Sequence, residues 1–311
     1  MKIRRKTNRC LNCGHTLGEI YNFCPHCGQE NNDQNVTFKH FVSDFFANYF
    51  SFDSRIGRSI KPLFLQPGFL TNRFNEGQRM QYVHPLRLYL VVSLIFFFLL
   101  SLSTKFEMND RGELSSGFIQ VRSDTTNKSP TEKIMADESL SDQQVFDSLR
   151  AIGETDLPQN WFTQRLFSGG RKIQNRGGEW FMNSFVQNLP FALLVAMPVL
   201  ALLLKGLYFR HRYYYVQHLI HTLHLHSVAL LLFSLFLVVA LALGISPKVS
   251  DQWLEPPVVL LLLVYIYSSF KKVYQQRGWV TLLKLSTVAL VYSLVLGLTI
   301  VGVALLAFLD F

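Results

Sequence analysis

Five long apolar segments limit what this chain can fold into. They are Leu86–Ser103, Leu189–Phe209, Thr222–Ile245, Trp253–Phe270 and Leu282–Leu309. A helix needs roughly 20 apolar residues to cross about 30 Å of hydrocarbon. The composition agrees, because 49% of the residues are hydrophobic and only 16% are charged. We therefore predict an all-α polytopic membrane protein with five transmembrane helices.

The basic residues predict the orientation of these helices. If the N-terminus lies inside, the inner segments Met1–Arg87, Lys205–Gln217 and Lys271–Lys284 hold 12, 3 and 4 Lys and Arg residues. Positive residues concentrate in cytosolic loops, so this distribution favours that orientation. Removing the fourth span would place the basic residues of Lys271–Lys284 outside. The N-terminus is therefore predicted to lie on the inner, cytosolic side of the membrane and the C-terminus on the outer side.

All four cysteines of the chain lie within its first 27 residues. They form two C-x2-C pairs, Cys10 with Cys13 and Cys24 with Cys27, and a glycine follows each pair. Two such pairs can hold one Zn²⁺ tetrahedrally, with Zn–S distances of about 2.3 Å. Disulfides are the alternative, but two C-x2-C pairs without a further cysteine favour a metal. We predict a ribbon with one structural zinc, and a cytosolic N-terminus because zinc thiolates persist where thiols stay reduced.

The segment between ribbon and membrane is rich in Phe and has helical spacing of its apolar residues. Thr37 is predicted to cap one amphipathic helix and Asp53 a second. These helices fit either an in-plane position at the lipid headgroups or a small soluble subdomain with a Phe core.

The loop after the first span is polar. Its Asp110–Lys133 part is predicted to be disordered, and Pro130–Ile152 has helical character. No internal repeat is predicted. The predicted divisions are 1–35 for the ribbon, 36–85 for the juxtamembrane helices, 86–103 for the first span, 104–188 for the periplasmic loop and 189–311 for the other four spans.

Histidines at the inner end of the third span form a second candidate site, which comprises His218, His221, His224 and His226. On a helix, His218, His221 and His224 are each displaced by about 60° around the helix axis from the one before, so they lie on one side, whereas His226 lies on the opposite side. Ionisable groups inside a bilayer normally face the bundle interior and are candidates for function. Three interpretations stay open: polar packing contacts, a second metal site, or a path for protons or a substrate.

Sequence motifs of common enzyme classes are absent. The chain contains no G-x4-GK[ST], G-x-G-x-x-G, H-E-x-x-H or G-x-S-x-G motif, which makes an enzyme less favoured than a non-catalytic protein. The formal net charge of +9 follows mostly from the basic inner loops and does not indicate nucleic-acid binding.

Several short motifs are shared with one family. They are Cys10-x2-Cys13-Gly14, Phe23-Cys24-x2-Cys27-Gly28-Gln29, Thr37-Phe38-x-His40, Pro67-Gly68, Gly77-x-Arg79-x2-Tyr82-x2-Pro85, Tyr215-x2-His218-Leu219 and Leu223-His224-x-His226. They resemble the bacterial family named domain of unknown function 3667, which consists of polytopic membrane proteins with an N-terminal zinc ribbon. Relatives often have a Glu before the first histidine, where this chain has Gln217, and this weakens a carboxylate–histidine ligand pair. The resemblance implies an architecture and no particular activity.

We therefore expect an integral protein of the bacterial inner membrane with an interaction or regulatory role. Its ribbon is expected to dock a cytosolic protein partner or to stabilise the cytosolic face. The second hypothesis is a transporter or channel for a small solute or metal that uses the histidines, and the third is a membrane-embedded metal-dependent enzyme. The expected partners are the lipid bilayer and a cytosolic protein, without nucleic acid.

Overall fold

The part of the chain that the structure describes is helical. The computed structural model describes residues 6–31, 37–47, 55–111, 134–135, 137, 139–153, 160–176, 178–244 and 255–309. Within these residues there is no β-strand, which confirms the all-α prediction. The helices are α1 (Phe38–Ala47), α2 (Arg55–Leu65), α3 (Phe69–Asn75), α4 (Pro85–Arg111), α5 (Asp142–Ala151), α6 (Trp161–Arg176), α7 (Gly178–Leu207), α8 (Tyr215–Leu243), α9 (Glu255–Tyr274) and α10 (Gly278–Leu309).

The chain forms two compact units. The first contains Met1–Ser103 and Val195–Leu294, and the second contains Thr104–Leu194 and Val295–Phe311. Every site described below lies within the first unit.

Five of the helices are long and apolar enough to cross a membrane, which agrees with the predicted number and indicates a multi-pass membrane protein. Their apolar stretches are Pro85–Ser103, Phe185–Leu207, Tyr215–Leu243, Pro256–Tyr274 and Gly278–Leu306. Among the apolar stretches, the largest difference from the predicted bounds is in α8, where the stretch begins at Tyr215 instead of Thr222. Polar residues in its first two turns, including His218 and His221, lower the local hydropathy, yet both of these side chains are buried.

The ends of these helices follow from local sequence. Pro85 begins α4, and Pro256 and Pro257 lie in the first turn of α9, where the missing N–H groups have no helical partner to lose. Gly244 ends α8 with a φ of 58°. The Tyr214 amide donates to Oε1 of Gln217 at 2.7 Å and so caps the start of α8.

The juxtamembrane segment contains a short helix, α3, that the sequence did not predict. Helix α1 begins at Phe38, directly after the predicted cap Thr37, whereas the predicted cap Asp53 lies outside the described residues. Glycine precedes and follows α3: Gly68 has a φ of 74° and Gly77 a φ of 95°. The Gly77 amide donates to the Phe74 carbonyl and the next amide to the Arg73 carbonyl, a Schellman motif that requires a left-handed residue.

Helix α3 packs against α2, α8 and α9. A Cβ at Gly68 would lie 2.9 Å from Val273 Cγ2 and 3.1 Å from the Ser269 carbonyl oxygen, so the turn before α3 touches α9 directly. The Asn72 side chain donates to the Lys272 carbonyl at 3.4 Å. Helix α3 of the juxtamembrane segment therefore packs directly against the long helices α8 and α9.

In the second unit, α5 and α6 pack against each other. Ser141 and Gln144 form a capping box at the start of α5, within the predicted helical segment. The Phe146 ring meets the Phe167 ring edge-on at 5.4 Å. Apart from its first two residues at the end of α4, the predicted disordered part Asp110–Lys133 lies outside the described residues.

Replacement of Gly68 by Ala tests the contact between α3 and α9. We expect Gly68→Ala to destabilise the protein by about 1–3 kcal/mol, because the new Cβ meets Val273 and the backbone is left-handed. The measurement is the thermal unfolding midpoint in detergent micelles. Gly57→Ala in α2 is the matched control: nothing lies within 4 Å of its added Cβ, so the midpoint should stay or rise slightly. Equal destabilisation by both variants would contradict the assigned contact.

Candidate metal centre and buried histidines

The four cysteines lie on two copies of one hairpin, 14 residues apart in sequence. In the first copy the Cys10 amide donates to the His15 carbonyl at 2.8 Å and the Gly14 amide to the Cys10 carbonyl at 2.9 Å. In the second copy the same bonds run from Cys24 to Gln29 at 2.8 Å and from Gly28 to Cys24 at 2.9 Å. This internal repeat differs from the sequence prediction, and it was missed because the two copies share few side chains besides the cysteines and glycines.

The sulfur atoms of this cluster lie close together. Cys10 Sγ is 3.5 Å from Cys27 Sγ, and Cys13 Sγ is 3.6 Å from Cys24 Sγ. All four ligand atoms lie within 4.8 Å of one another. A tetrahedral site with Zn–S bonds of about 2.3 Å has sulfur atoms about 3.8 Å apart, so the arrangement suits a metal ion. The cysteines are free thiols in the structure, so the alternative disulfides are not formed.

The cluster is also the core of the N-terminal module. Cys10, Cys24 and Leu17 are buried together, and Cys27 packs against them. Desolvation raises the pKa of the Cys10 thiol to about 12. The cysteine cluster is therefore both the candidate metal-binding site and the buried centre of the module.

The module is attached to the connection between α3 and α4. The buried side-chain amide of Gln29 donates to the Gly77 carbonyl at 2.7 Å and accepts from the Arg79 amide at 3.2 Å. Leu11 packs on the same connection, because a Cβ at Gly77 would lie 2.8 Å from Leu11 Cδ1. Both hairpins thus contact this segment.

Two buried histidines of α8 face α9. His218 Nδ1 lies 2.9 Å from the Tyr274 hydroxyl, and His221 Nδ1 lies 3.4 Å from the same oxygen. A phenol can donate to one ring and accept from the other. His221 Nε2 also lies 3.0 Å from Ser269 Oγ. These four side chains form one continuous hydrogen-bonded group between α8 and α9.

The other two histidines have different neighbours. His224 Nδ1 lies 3.0 Å from Thr71 Oγ1 on α3. His226 Nδ1 lies 2.8 Å from the Thr222 carbonyl, which only accepts, so this nitrogen carries the proton. Its Nε2 then accepts from the Tyr292 hydroxyl of α10 at 2.7 Å. One face of α8 thus binds α3 and α9, and the opposite face binds α10.

These contacts favour one of the interpretations of the histidine cluster. Within the described residues, the only group of three or more metal-type ligands that converges within 4.8 Å is the cysteine cluster. His218, His221, His224 and His226 are directed to separate hydroxyl and carbonyl partners. The geometry supports polar packing contacts between helices.

A small cavity lies beside His224. Its volume is about 10 Å³, which is roughly the space of one water molecule. Its lining is partly apolar and includes the polar residues Gln66, Thr71, His224, Tyr265 and Ser269. Helix α3 and the turn before it therefore form one wall of this cavity.

Comparison with known families gives one match. The sequence model of the family described as "Protein of unknown function (DUF3667)" matches residues 53–97, which span α2, α3 and the first half of α4. The chain is similar to that family over this segment, which includes Gly68 and Gly77. The comparisons with curated proteins and with solved structures each found no match.

Sequence reasoning found the cysteines and histidines but missed their partners. Thr71, Ser269, Tyr274 and Tyr292 bind the histidines, and none of them was predicted as a site residue. Three of these are polar residues within predicted apolar spans or next to one, which is a usable signal. Gln29 belongs to one of the family motifs, but its contact with Gly77 could be seen only in the structure.

Metal content separates the two candidate sites. We expect one metal ion per chain in the purified protein and none in the Cys13→Ser, Cys27→Ser double variant, which lacks two of the four ligands. The His221→Ala, His224→Ala double variant should keep one ion, because its histidines bind hydroxyl groups. Inductively coupled plasma mass spectrometry gives the stoichiometry. Two ions in the wild type that fall to one in the histidine variant would overturn the packing interpretation.

Proposed function

We propose that this chain is a multi-pass protein of the bacterial inner membrane with an interaction or regulatory role, and that its N-terminal module contains one structural Zn²⁺. The observation that carries the proposal is the attachment of that module to the connection between α3 and α4. Gln29 and Leu11 bind the connection before α4, while other side chains of the module stay exposed. The module thereby stabilises one face of the bundle and leaves a second surface for a partner.

The choice of zinc follows from the ligands. Four thiolates in two C-x2-C hairpins form a closed tetrahedral set without an open coordination position, which is typical of structural zinc. Thiolates of this kind persist in a reducing compartment, which supports a cytosolic N-terminus. The basic inner loops support the same orientation, with the C-terminus in the periplasm.

The partner surface consists of Ile20 and Tyr21, which lie between the two hairpins, and Phe23 at the start of the second hairpin; they are 81%, 42% and 58% exposed. Glu19 precedes this surface on the same loop. Exposed aromatic and aliphatic side chains in one patch are typical of the apolar centre of a protein interface. We propose a cytosolic protein with a complementary apolar surface as the partner.

The cavity beside His224 is the observation that favours a transporter as the second candidate. Its volume of about 10 Å³ is roughly that of one water molecule. The hydrogen-bonded histidines and the small cavity give this candidate less support than the docked module gives the first.

Labelling of single cysteines tests the proposed topology. In a background without the native cysteines, we expect an impermeant thiol reagent to label sites in Ser115–Lys128 and Val249–Asp251 from the periplasm. Sites in Arg210–Tyr214 and Gln275–Gly278 should stay unlabelled in intact cells, because the basic loops remain inside. Labelling of Gln276→Cys from outside would remove the fourth span from the topology.

Photo-crosslinking tests the proposed partner surface. With p-benzoylphenylalanine at Tyr21 of the full chain in living cells, we expect one discrete protein adduct. The Ile20→Ser, Phe23→Ser double variant should lower its yield by about fivefold or more, since apolar anchors dominate such interfaces. Glu19→Gln on the same loop is the control and should keep the adduct. An adduct with lipid, or one insensitive to the double variant, would contradict a protein partner at this surface.

A further inference from the structure

The two hairpins of the N-terminal module have equivalent backbones but different side-chain roles. His15 and Gln29 occupy the same position, since each carbonyl accepts from the first cysteine of its own hairpin. The His15 side chain is exposed, whereas Gln29 is 6% exposed and its amide binds Gly77 and Arg79. Only the second hairpin therefore fixes its position on the rest of the protein through this residue.

The hydrogen bonds of Gln29 hold the end of α3. Gly77 is the left-handed residue of the Schellman motif that closes α3, and its carbonyl is the acceptor for Gln29. Leu11 covers the same glycine. The conformation that ends α3 is thus held by the module as well as by its own backbone bonds.

Helix α3 in turn forms one wall of the cavity beside His224. Thr71 is 1% exposed and binds His224, and Leu70 and Thr71 line the cavity together with Ser269 of α9. The start of α3 is held separately by the contact of Gly68 with Val273. The helix therefore has one end on α9 and the other end on the metal-binding module.

We propose that the module is a metal-dependent latch on α3, which keeps α3 packed against α8 and α9 beside the small cavity at His224. The position of Gln29 depends on the metal, because its carbonyl belongs to the hairpin of Cys24 and Cys27. Small zinc modules lose their fold without metal, so metal loss withdraws Gln29 and Leu11 from Gly77. Helix α3 then keeps its contacts with α8 and α9 but loses the support at its end. The latch rests on the proposed structural zinc.

Hydrogen exchange of the full-length protein in nanodiscs measures the latch directly. The readout is exchange of the amides in peptides that cover Phe69–Gly77, compared between the metal-loaded protein and the same protein after chelation. Metal removal is expected to speed exchange of these amides by about tenfold, because the loss of the Gln29 hydrogen bonds shifts the local opening equilibrium of α3 by about this factor. The exchange of α5, Asp142–Ala151, serves as an internal reference and should not change.

Two matched variants separate the latch from general loss of stability. Metal-loaded Gln29→Ala should show the faster exchange of α3 while it keeps its metal, because the backbone bonds of the hairpin remain. Metal-loaded His15→Ala changes the equivalent position of the other hairpin and should behave like the wild type. The chelated wild type supplies the comparison that does not depend on any variant.

The outcomes are distinguishable. Chelation that speeds exchange within residues 6–31 but leaves α3 unchanged would overturn the latch and leave the structural zinc intact. Equal effects of His15→Ala and Gln29→Ala would also overturn it, since the hydrogen bonds to Gly77 and Arg79 come from Gln29 and the His15 side chain is exposed. A purified protein without bound metal would overturn the proposed function and the latch together.

Discussion

The hydrogen bonds of the α8 histidines set the arrangement of the helices around them. A polar group in the hydrocarbon region of a membrane has no water to bind, so it has to find a partner on the protein. His218 and His221 bind Tyr274 and Ser269 of α9, and His226 binds Tyr292 of α10. An apolar helix packs about as well against lipid as against another apolar helix, so apolar contacts alone do not define how it is rotated. The directional hydrogen bonds of the histidines give α8 a defined rotation relative to α9 and α10.

The same requirement connects the membrane helices to the N-terminal module. The ring of His224 finds its partner in Thr71 of α3, outside the long helices of the bundle. Helix α3 needs a left-handed residue at its end, and Gly77 in that position exposes a carbonyl to Gln29. A chain of named contacts therefore runs from the cysteine cluster to the buried histidines, although the two sites are about 200 residues apart in sequence.

Sequence patterns sufficed for features that are local or compositional. The number of apolar helices followed from hydropathy, and the grouping of the cysteines followed from the spacing of Cys10, Cys13, Cys24 and Cys27. The predicted third span begins at Thr222, seven residues after the start of α8 at Tyr215, because a hydropathy scale treats His218 as polar although its side chain is buried. Helix α3 was not predicted, because seven residues are too few for a periodic apolar pattern.

By itself the sequence determined the helical membrane class and the four cysteines of the candidate metal centre, because both depend on residue type and short-range spacing. The tertiary structure alone decided which histidine binds which helix, where Gln29 docks and which residues line the cavity beside His224. Each of these contacts joins residues far apart in the chain, and a hydrogen-bonding side chain does not specify its partner in sequence. The partner is chosen when the packing of α3, α8, α9 and α10 brings one unsatisfied group within reach of another.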